Sequence, residues 1–213
     1  MSGSDAGASD RWAKVERSAN RVADYGIARA VRTYYLVYLP LEAAFLIAVG
    51  AFIAVPVFGL SPDDWPTYLG FGMSIAAVGV LVGGLVYARK RVKPLVRPQR
   101  QNALIWLDRP ERKVVRDQIF GKVPTAGNHL PALRGIAVQI RQGLAVQLLL
   151  VPGYVLLCTN QVLLAISRGF LGFLWLWIPL AILFLTTSAT VLWQFSRTEQ
   201  FLAPTSKGGH PEV

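Results

Sequence analysis

The chain is short of charged residues. Only 16% of its 213 residues are Asp, Glu, Lys or Arg, whereas a soluble domain usually carries about a quarter. Hydrophobic residues make up 53% of the chain, and the mean hydropathy is +0.41. The deficit of charge and the excess of apolar residues together indicate a membrane protein.

Residues that build metal and catalytic sites are also scarce. The single cysteine, Cys158, excludes a disulfide within one chain and a cysteine-based zinc site, and its apolar surroundings predict a small buried side chain. The two histidines, His129 and His210, have no neighbours at ligand spacing. A glycine-rich phosphate loop, paired acids at helical spacing and a Ser/His/Asp set are missing. The sequence therefore predicts no catalytic residue, no cofactor and no metal, and it disfavours an enzyme.

What the chain does have is four long apolar runs. A membrane span needs about 20 apolar residues to cross about 30 Å of hydrocarbon. Spans are predicted at Leu36–Val57, Tyr68–Ala88, Leu144–Ile166 and Phe170–Phe195. The connections after the first and third spans are short. We therefore predict an all-α, polytopic integral membrane protein with four transmembrane helices arranged as two antiparallel hairpins.

The distribution of Lys and Arg predicts the orientation, because cytoplasmic loops carry an excess of both. Residues 1–34 hold six of these residues, and residues 89–142 hold 13 against three acids, whereas the two loops on the other side hold only Arg168. We predict a multi-pass protein of the cell membrane with both termini in the cytoplasm. Its segments are a cytoplasmic N-terminal segment (1–34), hairpin 1 (35–88), a basic cytoplasmic loop (89–142), hairpin 2 (143–195) and a disordered cytoplasmic tail (196–213).

The cytoplasmic segments carry helical patterns of their own. Residues 10–33 have apolar residues at helical spacing opposite basic ones, which predicts one amphipathic helix. It would lie either among anionic headgroups or against the protein's own central loop. In that loop, Asp108 and Glu111 resemble a capping box for a helix that ends before Gly121. A further helix from about Leu133 is expected to join the third span.

Two short segments resemble each other. Gly26–Arg32 and Gly135–Arg141 are identical at four of seven positions, and each precedes a predicted hairpin. Tandem duplication of a helix-plus-hairpin unit would explain the similarity, and so would chance.

Two polar residues inside the spans are candidates for a special role. Glu42 is the only charged residue within the four predicted spans. It is either a helix-start residue favoured by the helix dipole or a carboxylate in a proton or cation path. Asn160 is predicted to hydrogen-bond the Trp175 carbonyl, because Pro179 denies that carbonyl its helical donor.

Small residues on the second span form a candidate packing ridge. Their spacings of four, three and four place them on one face of a helix; they are Gly72, Ala76, Gly79 and Gly83. A matching small face is predicted on the first span at Ala44, Ala48 and Ala51. Close packing within the hairpin is the preferred interpretation, and homodimerisation is the alternative.

Cations follow the second span directly. The candidate contacts for anionic lipid headgroups are Arg89, Lys90, Arg91 and Lys93. Nucleic acid is not expected as a partner, because no recognition fold accompanies the charge. The leading hypothesis is a non-enzymatic accessory or scaffold subunit that engages the lipid bilayer, a protein partner or a second copy of itself. The alternatives are a small oligomeric transporter or channel and a lipid-modifying membrane enzyme.

Overall fold

The protein is almost entirely helical. In the computed structural model of the chain, the described residues are 3–19, 22–59, 65–97, 103–124, 129–167, 169, 172 and 174–203. About 91% of the structure is helix. Four helices are long and apolar enough to cross a membrane: Ile27–Val57, Trp65–Leu95, Leu130–Ile166 and Trp175–Leu202. The predictions of a largely helical chain and of four helices able to cross a membrane are confirmed among the described residues.

The elements follow one another in a simple order. They are α1 (Gly3–Ala19), β1 (Ala23–Asp24), α2 (Ile27–Thr33), α3 (Leu39–Phe58), α4 (Trp65–Tyr87), β2 (Val96–Arg97), α5 (Arg109–Ile119), α6 (Leu130–Ser167) and α7 (Leu174–Leu202). A π-helical turn, Tyr34–Tyr38, joins α2 to α3 without a break, and a second one, Ala88–Val92, extends α4. Short 3₁₀ segments lie at Lys93–Leu95 and Ala103–Trp106. The two strands pair antiparallel over two residues each.

The chain divides into two compact units. The loop unit consists of Met1–Ile27, Val92–Ala145 and Leu192–Val213, and the span unit consists of Ala28–Arg91 and Val146–Val191. Helices α6 and α7 each contribute one part to either unit. The loop unit thus combines residues from the N-terminal segment, the central loop and the end of the last helix.

The prediction of a single amphipathic helix over residues 10–33 is wrong. The helix ends at Ala19, the backbone pairs as β1 with β2, and a new helix starts at Ile27. The Asp24 carboxylate accepts hydrogen bonds of 2.8 Å from the backbone N–H groups of Gly26 and Ile27. Gly26 has a φ of 106°, which favours glycine because it has no Cβ. The start of α2 at Ile27 therefore has a local chemical cause, an Asp-x-Gly turn.

The apolar face of α1 packs inside the protein rather than standing free for lipid. Val15 and Ala19 belong to the buried core of the loop unit, with Trp12 packed against it. Most of the other core residues come from the central loop and the start of α6: Ala103, Leu104, Leu107, Val115, Ile119, Ala132, Leu133, Ile136 and Ala137. Of the two interpretations of the N-terminal helix, the structure supports packing against the central loop.

Helix α5 begins at the capping box that the sequence indicates. The side chain of Asp108 accepts from the N3 backbone N–H, and Glu111 Oε2 accepts from the Asp108 N–H at 2.9 Å. Gly121, just past the end of the helix, has a φ of 74°. Arg11 of α1 lies 3.2 Å from both carboxylates, which ties α1 to the start of α5.

The two similar segments differ in local structure. Gly26 precedes a helix in a left-handed turn, whereas Gly135 lies inside α6, where a Cβ would collide with the Ala19 carbonyl of α1. The glycines therefore serve different purposes, and the similarity does not extend to the conformation at these positions.

Part of the segment predicted as a disordered tail is helical. Helix α7 continues to Leu202, and Phe201 and Leu202 pack against the core of the loop unit. Residues 204–213, to which the same prediction applied, lie outside the described residues.

Candidate functional site

Glycines of α4 allow close packing in the span unit. Gly72 lies against the backbone of Ile47, and Gly79 lies against the side chain of Leu46. Gly83 lies against the carboxylate of Glu42. Ala76, the fourth residue of the predicted ridge, is fully buried. All three glycines thus face the first spanning helix of the same chain, and the contacts run in opposite directions along the two helices.

The matching face on the first span is not the predicted one. Ala44 and Ala48 are exposed, whereas Gly50 and Ala51 approach Gly72, and a Cβ built on Gly50 would lie 2.7 Å from the Gly72 Cα. The expected small face is therefore wrong except at Ala51. A run of small residues does not reveal how its helix is rotated, because alanine is tolerated on a lipid-facing surface as well as at a contact.

Glu42 lies in the first turn of α3, but that turn is not a free helix end. The first spanning helix begins at Ile27, and the π-helical turn and α3 continue it, so Glu42 lies several turns inside. The interpretation as a helix-start residue is wrong for this reason. The side chain is half-buried over the bare backbone of Gly83. It makes no ion pair in the part of the chain that the structure describes.

Asn160 contacts the second span rather than the fourth. Its Nδ2 donates to Ser74 Oγ at 2.7 Å, and Ser74 in turn donates to the Gly70 carbonyl at 3.0 Å. The predicted hydrogen bond to the Trp175 carbonyl is therefore wrong. Asn160 is fully buried, and a Cβ on Gly70 would lie 3.1 Å from its Oδ1. The side chain joins α6 to α4 at a glycine that permits close approach.

Two tyrosines near one end of the first two spans donate hydrogen bonds to backbone carbonyls at irregular points of the helices. The sequence did not predict this role. Pro152 has no N–H, so the Leu148 carbonyl four residues earlier lacks its usual partner. The Tyr35 hydroxyl donates to that carbonyl at 2.6 Å. The Tyr87 hydroxyl donates at 3.0 Å to the Ala30 carbonyl, just before the π-helical turn. Pro152 indicates that a carbonyl is left without its helical donor, but nothing in the sequence identifies Tyr35 as the replacement donor.

The candidate lipid contacts lie where α4 ends. Arg89, Lys90 and Arg91 are exposed in the π-helical turn that continues the second span. Lys93 is also exposed, but it lies in the 3₁₀ segment that follows and belongs to the loop unit. Consequently the first three fall in the span unit and the fourth in the loop unit, although all four lie within the second spanning helix, Trp65–Leu95.

The loop unit has an open groove beside α5. It has a volume of about 370 Å³, and its lining residues are Trp12, Pro110, Glu111, Val114, Val115, Gln118, His129 and Leu133. The Trp12 and His129 rings stack with centroids 4.5 Å apart, and His129 Nδ1 lies 3.0 Å from a Glu16 carboxylate oxygen. Val114 is 51% exposed at the groove. The lining is mainly apolar, with a few polar groups able to orient an occupant.

Charge on α5 lies away from the groove. Four exposed cations are spread over the helix: Arg109, Arg112, Lys113 and Arg116. Arg112 also donates to the carbonyls of Leu107 and Ile105, at 2.7 and 3.2 Å. The residues of α5 that line the groove are Pro110, Glu111, Val114, Val115 and Gln118, so the four cations lie on the other side of the helix.

A buried arginine organises another part of the loop unit. Arg141 is 6% exposed, and its guanidinium lies 2.9 Å from the Asp24 carboxylate and 3.1 Å from that of Glu199. It also lies 4.9 Å from the centroid of the Phe195 ring. Burying an arginine is tolerated only when its charge is paired in this way. The cluster joins the turn before α2 to α6 and α7, and its role is structural.

Among the described residues, no group of three or more His, Cys, Asp and Glu side chains is placed to hold a metal ion. His210, one of the two histidines, lies outside the described residues. Comparison of the chain with protein-family models, with curated proteins and with solved structures gave no match. The function is therefore argued from the residues and their geometry.

Proposed function

We propose that the chain is a non-enzymatic accessory or scaffold protein of the cell membrane that engages a protein partner through its loop unit. In this proposal the spans form two in–out–in hairpins, and the Lys and Arg bias places both termini and the loop unit in the cytoplasm. The spans hold the protein in the bilayer, and the loop unit recognises the partner.

One observation carries the proposal. A connection between two hairpins needs only a few residues, yet here the loop residues build a core together with α1 and the end of α7. A fold of this kind keeps side chains in fixed positions, which recognition requires. The mainly apolar groove favours a partner segment with apolar side chains.

The test is site-specific photo-crosslinking in native membranes, with the probe at Gln118 in the groove. We expect it to capture one discrete protein other than this chain, which captures the chain in a reciprocal pull-down. Val114→Lys, at an exposed position on the groove, should abolish the capture. Val123→Lys, at a position that is 43% exposed and does not line the groove, should leave it intact. Capture of only the chain itself, or capture that survives Val114→Lys, would contradict the proposal.

A second candidate function rests on Glu42. An acid inside a span is costly unless it is paired or functional, and the structure gives Glu42 neither a helix-start position nor an ion pair among the described residues. This favours a small oligomeric transporter or channel with Glu42 in a proton or cation path. The test is flux of protons and monovalent cations into vesicles that contain the purified protein. Flux that Glu42→Gln abolishes, with expression unchanged, would support this candidate, and absence of flux in the unchanged protein would exclude it.

A further inference from the structure

The exposed cations of the span unit gather at one end of the first two spanning helices. They are Arg29, Arg32, Arg89, Lys90 and Arg91. The Tyr87 hydroxyl bonds to the Ala30 carbonyl at 3.0 Å, and this contact fixes the register of the two helices. Ala30 adjoins Arg29, and Tyr87 is two residues from Arg89. Because packed helix axes lie about 8–10 Å apart, both sets of cations occupy one small area.

Among the described residues, no acid pairs with these cations. The only acid among the described residues of the span unit is Glu42, which lies ten residues beyond Arg32 toward the middle of the first span. Five exposed cations are thus available to an external anion at this place.

The cations lie on helix faces that also carry exposed apolar side chains. On the first spanning helix, Arg29 and Arg32 are followed at helical spacing by Leu36, which is 64% exposed. On the second, Val82 and Val86 are exposed at helical spacing before Arg89 and Lys90. A ligand here meets apolar side chains directly below the cations. That combination suits a phospholipid, with its headgroup on the cations and its acyl chains along the helices.

We infer that these five residues form one site for a phospholipid headgroup that carries more than one negative charge. Several lipids with one negative charge each would have to bind together to neutralise a patch two helices wide. A headgroup with two phosphates supplies the charge in one molecule. The inference rests on the proposed function only in that both basic segments face the same side of the membrane. The site joins Arg29 and Arg32 to Arg89, Lys90 and Arg91, which lie more than 50 positions away along the chain.

The test measures lipid binding to the purified full-length protein in detergent by native mass spectrometry. The probes are cardiolipin with two phosphates, phosphatidylglycerol with one, and zwitterionic phosphatidylcholine. We expect cardiolipin to bind several times more tightly than phosphatidylglycerol, and phosphatidylcholine to bind weakest. Inorganic pyrophosphate should not displace the lipid, because it lacks the acyl chains. Equal affinity for the two anionic lipids, or full displacement by pyrophosphate, would overturn the inference.

Paired substitutions test whether the site is shared. Arg29→Gln with Arg32→Gln, and separately Arg89→Gln with Lys90→Gln, should each weaken cardiolipin binding by about thirtyfold, from about 1 kcal/mol per cation. The matched control, Arg109→Gln with Lys113→Gln, removes the same charge from α5 and should leave the affinity unchanged. An unchanged affinity in the Arg29/Arg32 variant, with a normal elution profile, would refute the joint site. Partner capture from the groove is measured separately, so failure of either proposal can be told from failure of the other.

Discussion

Gly72 and Gly79 lie on the same ridge of α4 but meet different obstacles. A Cβ on Gly72 would collide with the Ile47 backbone carbonyl, whereas a Cβ on Gly79 would meet only the end of the Leu46 side chain. Backbone cannot move aside without separating the helices, so Gly72→Ala should destabilise the protein by about 1–3 kcal/mol. Gly79→Ala should be neutral or stabilising, because alanine favours helix over glycine by up to about 1 kcal/mol.

The measurement is the thermal midpoint of the two variants and the unchanged protein, purified in the same detergent. Both substitutions add one methyl group to one ridge, so each is the control for the other. Equal midpoints for the two variants would mean that the close approach at Gly72 is not a feature of the folded protein.

For single residues, the sequence predicts which positions form a contact surface but not which surface they contact. The spacing of the α4 glycines identifies the ridge, because a smooth strip of backbone is useful only at a contact. The partner surface was misjudged at Ala44 and Ala48, and Asn160 was assigned to the wrong helix. In both cases the residue type was informative, but the rotation of one helix against another depends on the whole set of contacts.

At the scale of elements, the start of α5 gives a pH-dependent prediction. The backbone N–H of Asp108, and next the Arg11 guanidinium, hold the pKa of Glu111 below its usual value. A carboxyl group whose pKa is lowered by folding stabilises the folded state above its unfolded pKa of about 4.3. That contribution disappears as the pH falls through the lower, folded pKa. Glu111→Gln should therefore destabilise the loop unit near neutral pH, by up to about 1 kcal/mol.

The measurement is the urea midpoint followed by tryptophan fluorescence, since Trp12 and Trp106 lie in the loop unit. The difference between Glu111→Gln and the unchanged protein should shrink as the pH is lowered below about 4. Asp10→Asn is the control. The Asp10 carboxylate lies 2.9 Å from Lys14 on the exposed side of α1, so its loss should matter little. A difference for Glu111→Gln that does not vary with pH would contradict the assigned role.

Elements with strong local signals are predictable, and those without are not. The α5 helix could be located from Asp108, Glu111 and Gly121, because capping chemistry is local. The break at Asp24–Gly26 was missed because the apolar periodicity continues across it. The pairing of β1 with β2 leaves no pattern in the sequence, since each strand has only two residues and their partners lie far apart along the chain.

At the scale of the whole molecule, the number of spans follows from hydropathy alone, but the loop unit does not. Its core brings together Val15, Leu107, Ile136 and Leu202, which lie in segments separated by apolar runs. Periodicity shows that each segment has an apolar face, and it does not show which faces meet. The candidate groove could not be predicted for the same reason: Trp12 and His129 are 117 positions apart and meet only in the folded protein.

A substitution that creates a cavity in one unit should destabilise that unit and leave the other unchanged. Ile136 is fully buried in the loop unit, and Val80 is fully buried in the span unit. Ile136→Ala removes a buried side chain at a cost of about 2–5 kcal/mol. The amides of α5 should then exchange with solvent at least about thirtyfold faster, since about 1.4 kcal/mol corresponds to a factor of ten. Amides of α4 should keep their protection, because they open within the other unit.

Hydrogen exchange read by mass spectrometry on the full-length protein in detergent measures both helices in one sample. Val80→Ala is the converse variant, expected to speed exchange in α4 and to leave α5 unchanged. If Ile136→Ala accelerates α4 and α5 equally, the chain opens as one cooperative body, and the loop unit does not fold independently of the spans. If only α5 responds, the loop residues form a stable unit in their own right, which is what a partner-binding scaffold on a membrane anchor requires.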